Sequence, residues 1–352
     1  VTTVPALVTR LFPDAERGRA LGSMMSVGTI GMITATLGGG FLIDAFGWDS
    51  IFLFRVPLGL IAFFLAYAVL QEAVSDEKQG RLDLGGIIAL FVALVALVLF
   101  LNLGGRFGWA SVSVISLAGL MLAAGTWFVR IETRSTETII APDVFSGPVN
   151  RALIAGFLMS MATFVNLFIL PFFLSEVVGA SALVLGILLT LPSIASAASS
   201  PVAGWLSDRF PSDRVAAGAL SIILLATYGF VGLDEASSAY DVGLRLAAFG
   251  IGMGSFQASN ANSVMGNIAS TRLGTGAALV SLSMSLGMIT SVGIMTALFD
   301  AFEADALATW ATEHAAFVTA FSQTYLVATV LVAIGVTVLA STGFRGTQQT
   351  DM

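Results

Sequence analysis

The sequence predicts an all-α polytopic membrane protein built from two parallel six-helix repeats with two extra spans between them. Three observations predict it. Hydrophobic residues make up 57% of the 352-residue chain and charged residues 11%, with a mean hydropathy of +0.93; a soluble domain carries about 25% charged residues. Apolar runs near the ~20 residues that cross a bilayer as a helix recur along the chain, and the alternating blocks of a membrane β-barrel do not. The string GMIT occurs at residues 31–34 and again at 287–290, an offset of 256, as expected of a parallel internal repeat.

Apolar runs between charged breaks give a partial span at residues 1–10 and ten full spans. These lie near 18–43, 50–70, 84–103, 109–129, 151–175, 183–206, 215–233, 242–265, 273–299 and 317–340. The 18–43 run follows the charged stretch around Arg17 and is rich in glycine; 50–70 follows a Gly-Trp-Asp break. The runs at 84–103 and 109–129 sit between the repeats. The six from 151 onward form one complete half. Residues 1–70 are thus expected to be the remainder of an N-terminal bundle: the end of a fourth span and spans five and six. Residues 71–150 hold cytoplasmic linkers and the two extra spans, 151–342 a C-terminal six-helix bundle, and 343–352 a short cytoplasmic tail. The opening VTTVPALVTR reads as the tail of a helix and not a signal peptide. Placing the second repeat's start near 151 then predicts further residues, about a hundred, before Val1.

Alternating the loops between two sides sorts the cations. One side receives Arg10, Arg17, Arg19, Lys78, Arg81, Arg130, Arg134, Arg151, Arg209, Arg214, Arg272 and Arg345; only Arg55, Arg106 and Arg245 face the other. The positive-inside rule makes the first side cytoplasmic, with the C-terminus on it, in a multi-pass plasma-membrane protein. The absence of cysteine excludes disulfides and thiolate metal sites. The single histidine, His314, falls in a polar loop without metal co-ligands. No metal, cofactor or nucleic-acid role is expected. No HExxH, nucleophile elbow or P-loop is present, so neither enzymatic chemistry nor ATP hydrolysis is expected.

One stretch breaks the apolar pattern. PVAGWLSDRFPSDR, residues 201–214, ends a helical run in two acids and two arginines. Gly204 is expected to let helices approach closely, Asp208 to face a helix N-terminus, and Arg209 and Arg214 to pair with carboxylates or helix-end carbonyls. Such a cluster can latch the cytoplasmic face, or it can be a solvated loop. Gly18 and Gly274 keep the repeat offset, each within two residues of an arginine, Arg17 and Arg272. Arg17 and Gly18 are therefore the expected loop partner of this turn.

GWLSDRFPSDR resembles the G-x-L-x-D-R-x-G-R-R/K signature of the major facilitator superfamily. The flanking segments, LPFFLSEVVGASALVLGILLTLPSIASAASSPVAGWLSDR and LFPDAERGRALGSMMSVGTIGMITATLGGGFLIDAFGWDSIFLFRVPLGL, resemble its drug:proton antiporters with fourteen spans. The resemblance implies a gating role for Asp208 and Arg209. It also aligns Gly28, Gly31, Gly38 and Gly39 with the family's Gly-rich antiporter helix. This sequence departs from the pattern at Thr34-Ala35, where Gly-Pro is usual, at Arg55, where Asn is usual, and at Pro211, where Gly is usual.

Polar side chains inside spans are functional candidates by default. Asn166, Arg245, Gln257 and Asn260 are the candidate substrate-cavity residues. Gln257 and Asn260 are three apart and share a helical face. Interhelical hydrogen bonding competes with that reading, and Arg245 either faces the cavity or snorkels to the interface. The expected function is secondary active transport by alternating access. It is expected to be proton-coupled efflux of small lipophilic or cationic organic compounds by a monomer in the lipid bilayer, with protons as coupling ion. A metabolite symporter of the same fold and a non-transporting membrane scaffold are the alternatives.

Overall fold

A computed structural model of the protein describes residues 27, 31, 34–35, 38–39, 41–43, 45–69, 84–134, 144–269, 272–309 and 312–341. Among these residues the regular structure is entirely helical. The long helices are α1 (Ser50–Val69), α2 (Leu84–Phe107), α3 (Val112–Arg134), α4 (Gly147–Phe168), α5 (Ala182–Arg209), α6 (Ser212–Val231), α7 (Ala239–Gly266), α8 (Leu273–Thr309) and α9 (Glu313–Ala340). The described positions between 27 and 46 are helical as well. Eight helices of the described part are long and apolar enough to cross a membrane. The 28-residue α7 has the length but not the apolarity, because it carries the polar run around Gln257, Asn260 and Ser263.

Local chemistry starts these helices where the sequence breaks. Ser181 accepts a hydrogen bond from the Val184 N–H and caps α5. Ser238 and Asp241 form a reciprocal capping box on α7, satisfying two of the N–H groups that have no partner in the first turn. Thr312 caps α9 through the Ala315 N–H. Pro148 sits in the first turn of α4, where its missing N–H costs nothing.

Two expectations change. The span expected at 273–299 runs on as helix to Thr309, since Glu303, Leu307 and the three alanines of FEADALAT are strong helix formers. The expected span 151–175 is one path but not one regular helix. After Phe168, α4 continues through the short turn Leu170–Phe172 and the π-helical turn Phe173–Val177. Pro171 cannot donate to the Leu167 carbonyl, and the backbone adjusts around it.

Helices α4 to α9 form one bundle. α7 lies against α5 and α6, α8 against α4 and α9, and α9 against α4 and α6. Phe173 stacks on Phe321 with ring centroids 4.4 Å apart, and Phe321 and Phe230 both contact Tyr325. α2 and α3 pair with each other and α2 also touches α8, whereas α1 is exposed along its length.

Lipid is as apolar as leucine, so packing, not water exclusion, holds these helices together. Small residues supply it. A Cβ at Gly250 would lie 2.5 Å from the Pro192 Cα, and one at Gly254 would strike the Ser196 backbone. The four-residue spacing of Gly250 and Gly254 on α7 thus matches that of Pro192 and Ser196 on α5. Ser199 and Ser200 then donate to the Ile251 and Gly254 carbonyls at 3.0 and 3.1 Å.

Candidate functional site

The α4–α8 contact shapes the centre of the bundle. Ser283 donates to the Leu153 carbonyl at 2.5 Å and Ser291 to the Met161 carbonyl at 2.8 Å. Gly287, midway between them, lies against the Phe157 backbone with no room for a side chain. Positions 283, 287 and 291 therefore read against 153, 157 and 161, one turn at a time.

Beside this seam opens a cavity of about 410 Å³, lined by Met159, Ser160, Thr163, Gln257, Met284, Ser285, Met288 and Ile289. Three helices build it: α4, α7 and α8. The wall is apolar and polarisable, with thioethers that adapt to irregular shapes. Three hydroxyls and one carboxamide provide hydrogen bonding, and no charged side chain is among the lining residues.

The predicted cavity residues separate here. Gln257 lines the cavity. Asn260, one turn further along the same face, is buried between α4, α7 and α8, and a Cβ on Gly156 would lie 3.4 Å from its Nδ2. Its Oδ1 has no hydrogen-bond partner. Asn166 is buried at 6% exposure and accepts a 2.7 Å hydrogen bond from the Tyr325 hydroxyl on α9; interhelical bonding is its observed role. Arg245 does not line the cavity. Its Nε donates to the Gly229 carbonyl and a terminal nitrogen to the Asp241 carbonyl, both at 2.8 Å, so it closes the C-terminal end of α6, where a cation suits the helix dipole.

The charged turn is arranged differently from the expected latch. Asp208, Arg209 and Arg214 are exposed and form no ion pair among the described residues. Arg209 instead lies over the Trp205 ring, 3.9 Å from its centroid, a cation–π contact. Gly204 is not a point of close approach, because a Cβ there would meet open space. The acid that reaches another helix is Asp213, in the first turn of α6, which accepts from the Ser263 hydroxyl on α7. The placement explains the choice: Asp208 ends α5 facing outward, while Asp213 starts a helix whose neighbour presents a hydroxyl.

Gly31, Gly38 and Gly39 likewise have open space where a side chain would project. Arg17, Gly18 and Gly28 lie outside the described residues. Sequence reading missed the Asp213–Ser263 pair and most of the cavity wall. The signals were present, since Met159 and Thr163, and Met284 and Met288, are each four apart, as one helical face requires.

Fold and cavity together define a multi-helix membrane protein with a ligand-sized chamber between its helices. The sequence profile of the Major Facilitator Superfamily matches residues 1–140 and 152–348, so the chain belongs to that superfamily of membrane transporters. It is 26% identical over 336 residues to the riboflavin transporter RibZ of Clostridioides difficile, covering 94% of this chain and 71% of that protein. It is 31% identical over 251 residues to the multidrug resistance protein Stp of Mycobacterium tuberculosis, covering 70% of this chain and 47% of Stp. Multidrug resistance protein 3 of Bacillus subtilis is 26% identical over 309 residues, 83% of this chain and 58% of that protein. The chain thus spans between about half and about seven tenths of these relatives.

Proposed function

We infer that the protein is a proton-coupled exporter of small, lipophilic or cationic organic compounds, working by alternating access as a monomer in the plasma membrane, with its C-terminus cytoplasmic. It takes a fourteen-span arrangement in which residues 1–70 belong to the first bundle, 71–150 carry the two extra spans and 151–342 make the second bundle. The observation that carries this reading is the cavity at the α4–α7–α8 junction. Its thioether and aliphatic wall accommodates varied apolar bodies, and Gln257, Ser160, Thr163 and Ser285 offer hydrogen bonds without demanding one shape. The names of Stp and the Bacillus protein point the same way. The turn at Asp208 and Arg209, free of ion pairs among the described residues, is the segment that engages and releases as the bundle rocks.

The name of RibZ supports a second reading, transport of a metabolite. Both are tested in proteoliposomes with an imposed pH gradient, using a panel of lipophilic cations, neutral aromatics and riboflavin. Gradient-dependent accumulation of the lipophilic compounds, lowered roughly fivefold by Gln257→Ala, supports export; each lost hydrogen bond to a cargo is worth about 1 kcal/mol. Movement of riboflavin alone supports the second reading. No gradient-dependent movement of any member refutes both.

A further inference from the structure

At the end of the bundle opposite the Asp208 turn, three elements bring ionisable groups together. The π-turn after α4 carries Glu176, the end of α8 carries Asp300, Glu303 and Asp305, and the start of α9 carries Glu313 and His314. Glu176, Glu303, Glu313 and His314 line one pocket of about 250 Å³. The His314 Nε2 lies 3.2 Å from the Glu176 carbonyl oxygen. A carbonyl only accepts, so this nitrogen carries the hydrogen. No Lys or Arg occurs in residues 169–182, 299–309 or 312–317. α5 also touches the π-turn and has no titratable residue before Asp208.

The backbone at this point is irregular. Val178 N–H bonds to the Phe173 carbonyl at 3.1 Å, an i to i−5 step, and Pro171 precedes it. π-turns are rare and concentrate at functional sites. Below, the segment is anchored by Phe173 on Phe321 and by Asn166 with Tyr325. Above, its tie to α9 is the His314 contact. With 37 residues at about 1.5 Å each, α8 far exceeds the ~30 Å hydrocarbon core, so the turns after Phe299 stand clear of it.

We propose that the end of α4 is a pH-responsive clasp: His314 and the surrounding carboxyls hold the π-turn against α8 and α9 in acid and release it as the carboxyls ionise. Ionised, Glu176, Glu303 and Glu313 repel one another across one pocket with no permanent cation between them. Protonated, they no longer repel and can hydrogen-bond across the pocket. Partial burial holds the Glu303 carboxyl above the usual carboxylate range, and Asp300, Glu176 and Glu313 add repulsion, so its neutral form belongs to the closed state and is lost as pH rises. The device concerns the rim of the bundle and does not depend on which compound is carried.

The chain has no cysteine, so spin labels placed through Ser175→Cys on the π-turn and Ala304→Cys on α8 report this separation directly. In lipid nanodiscs, where both faces meet the buffer, the distance is measured by electron–electron double resonance at about pH 4 and about pH 8, on the two sides of carboxyl titration. The expected result is a lengthening on the order of a few ångströms and a broader distribution at the higher pH. Adding Glu303→Gln retains the acid distribution at both values. Identical distributions at both values in the labelled parent, or a full pH response in Glu303→Gln, overturn the clasp. If Glu303→Gln does not fold, Glu176→Gln is judged by the same outcomes.

Discussion

The tetrapeptide GMIT occurs in two places and has two fates. At 287 its glycine is buried against the Phe157 backbone, flanked one turn away on each side by Ser283 and Ser291, which donate into α4. At 31 the glycine is exposed, with no atom where a side chain would project among the described residues, and the positions one turn away are Val27 and Ala35, both exposed. The shared residues do not decide burial. The difference lies in the flanks, where a hydroxyl on each side of a glycine turns a gap into a stripe that fits another helix.

That contrast can be broken most sharply by filling both gaps. Gly287→Leu is expected to lose about 3 kcal/mol of stability or to fail to assemble, because overpacking against backbone has nowhere to relax. Gly31→Leu is expected to change little. Denaturation midpoints in detergent distinguish them, and equal losses would show that both copies are packed alike.

A smaller effect is expected at the other end of α4. Tyr325→Phe leaves the buried Asn166 carboxamide without a partner and is expected to cost about 1–2 kcal/mol. Adding Asn166→Leu should recover much of it, since both polar groups are then gone; a further loss in the double variant would assign the pair another role.

Ser283→Ala and Ser291→Ala are each expected to cost about 0.6 kcal/mol, the average for polar contacts within membranes. Val27→Ser and Ala35→Ser should gain nothing, as no partner carbonyl is offered there among the described residues. If the serine losses vanish, the stripe holds by shape alone.

The smallest effect concerns the Asp241 capping box. The Ser238 hydroxyl and then the Ser238 N–H hold its carboxyl below the usual carboxylate range, and Arg245 adds to this. Its support of α7 is therefore complete above the ordinary carboxylate pKa and lost as pH falls through the lowered one. Amide exchange at residues 239–242, corrected for its intrinsic pH dependence, is expected to rise only at that acid limit, and Asp241→Asn should abolish the rise.

Much of the architecture was legible because a bilayer imposes a length and forbids unpaired backbone. The spans from 50 to 340 follow from apolar runs bounded by charge. α8 overran its expected end because Glu303, Leu307 and the alanines after Phe299 favour helix as strongly as the apolar residues before it. The site was less legible. Gln257 lines the cavity between the helices, whereas Arg245, from the same helix, closes α6.

By itself, the order of residues determined that this protein is helical, membrane-spanning and related to the major facilitators, since hydropathy, helix caps and short motifs are local properties. Only the tertiary structure decided that Asp213 and not Asp208 crosses to a neighbouring helix, that Gly204 is open while Gly250, Gly254 and Gly287 are filled, and that three methionines share one wall. Those outcomes depend on what a second helix presents at the same height, and no single segment carries that information.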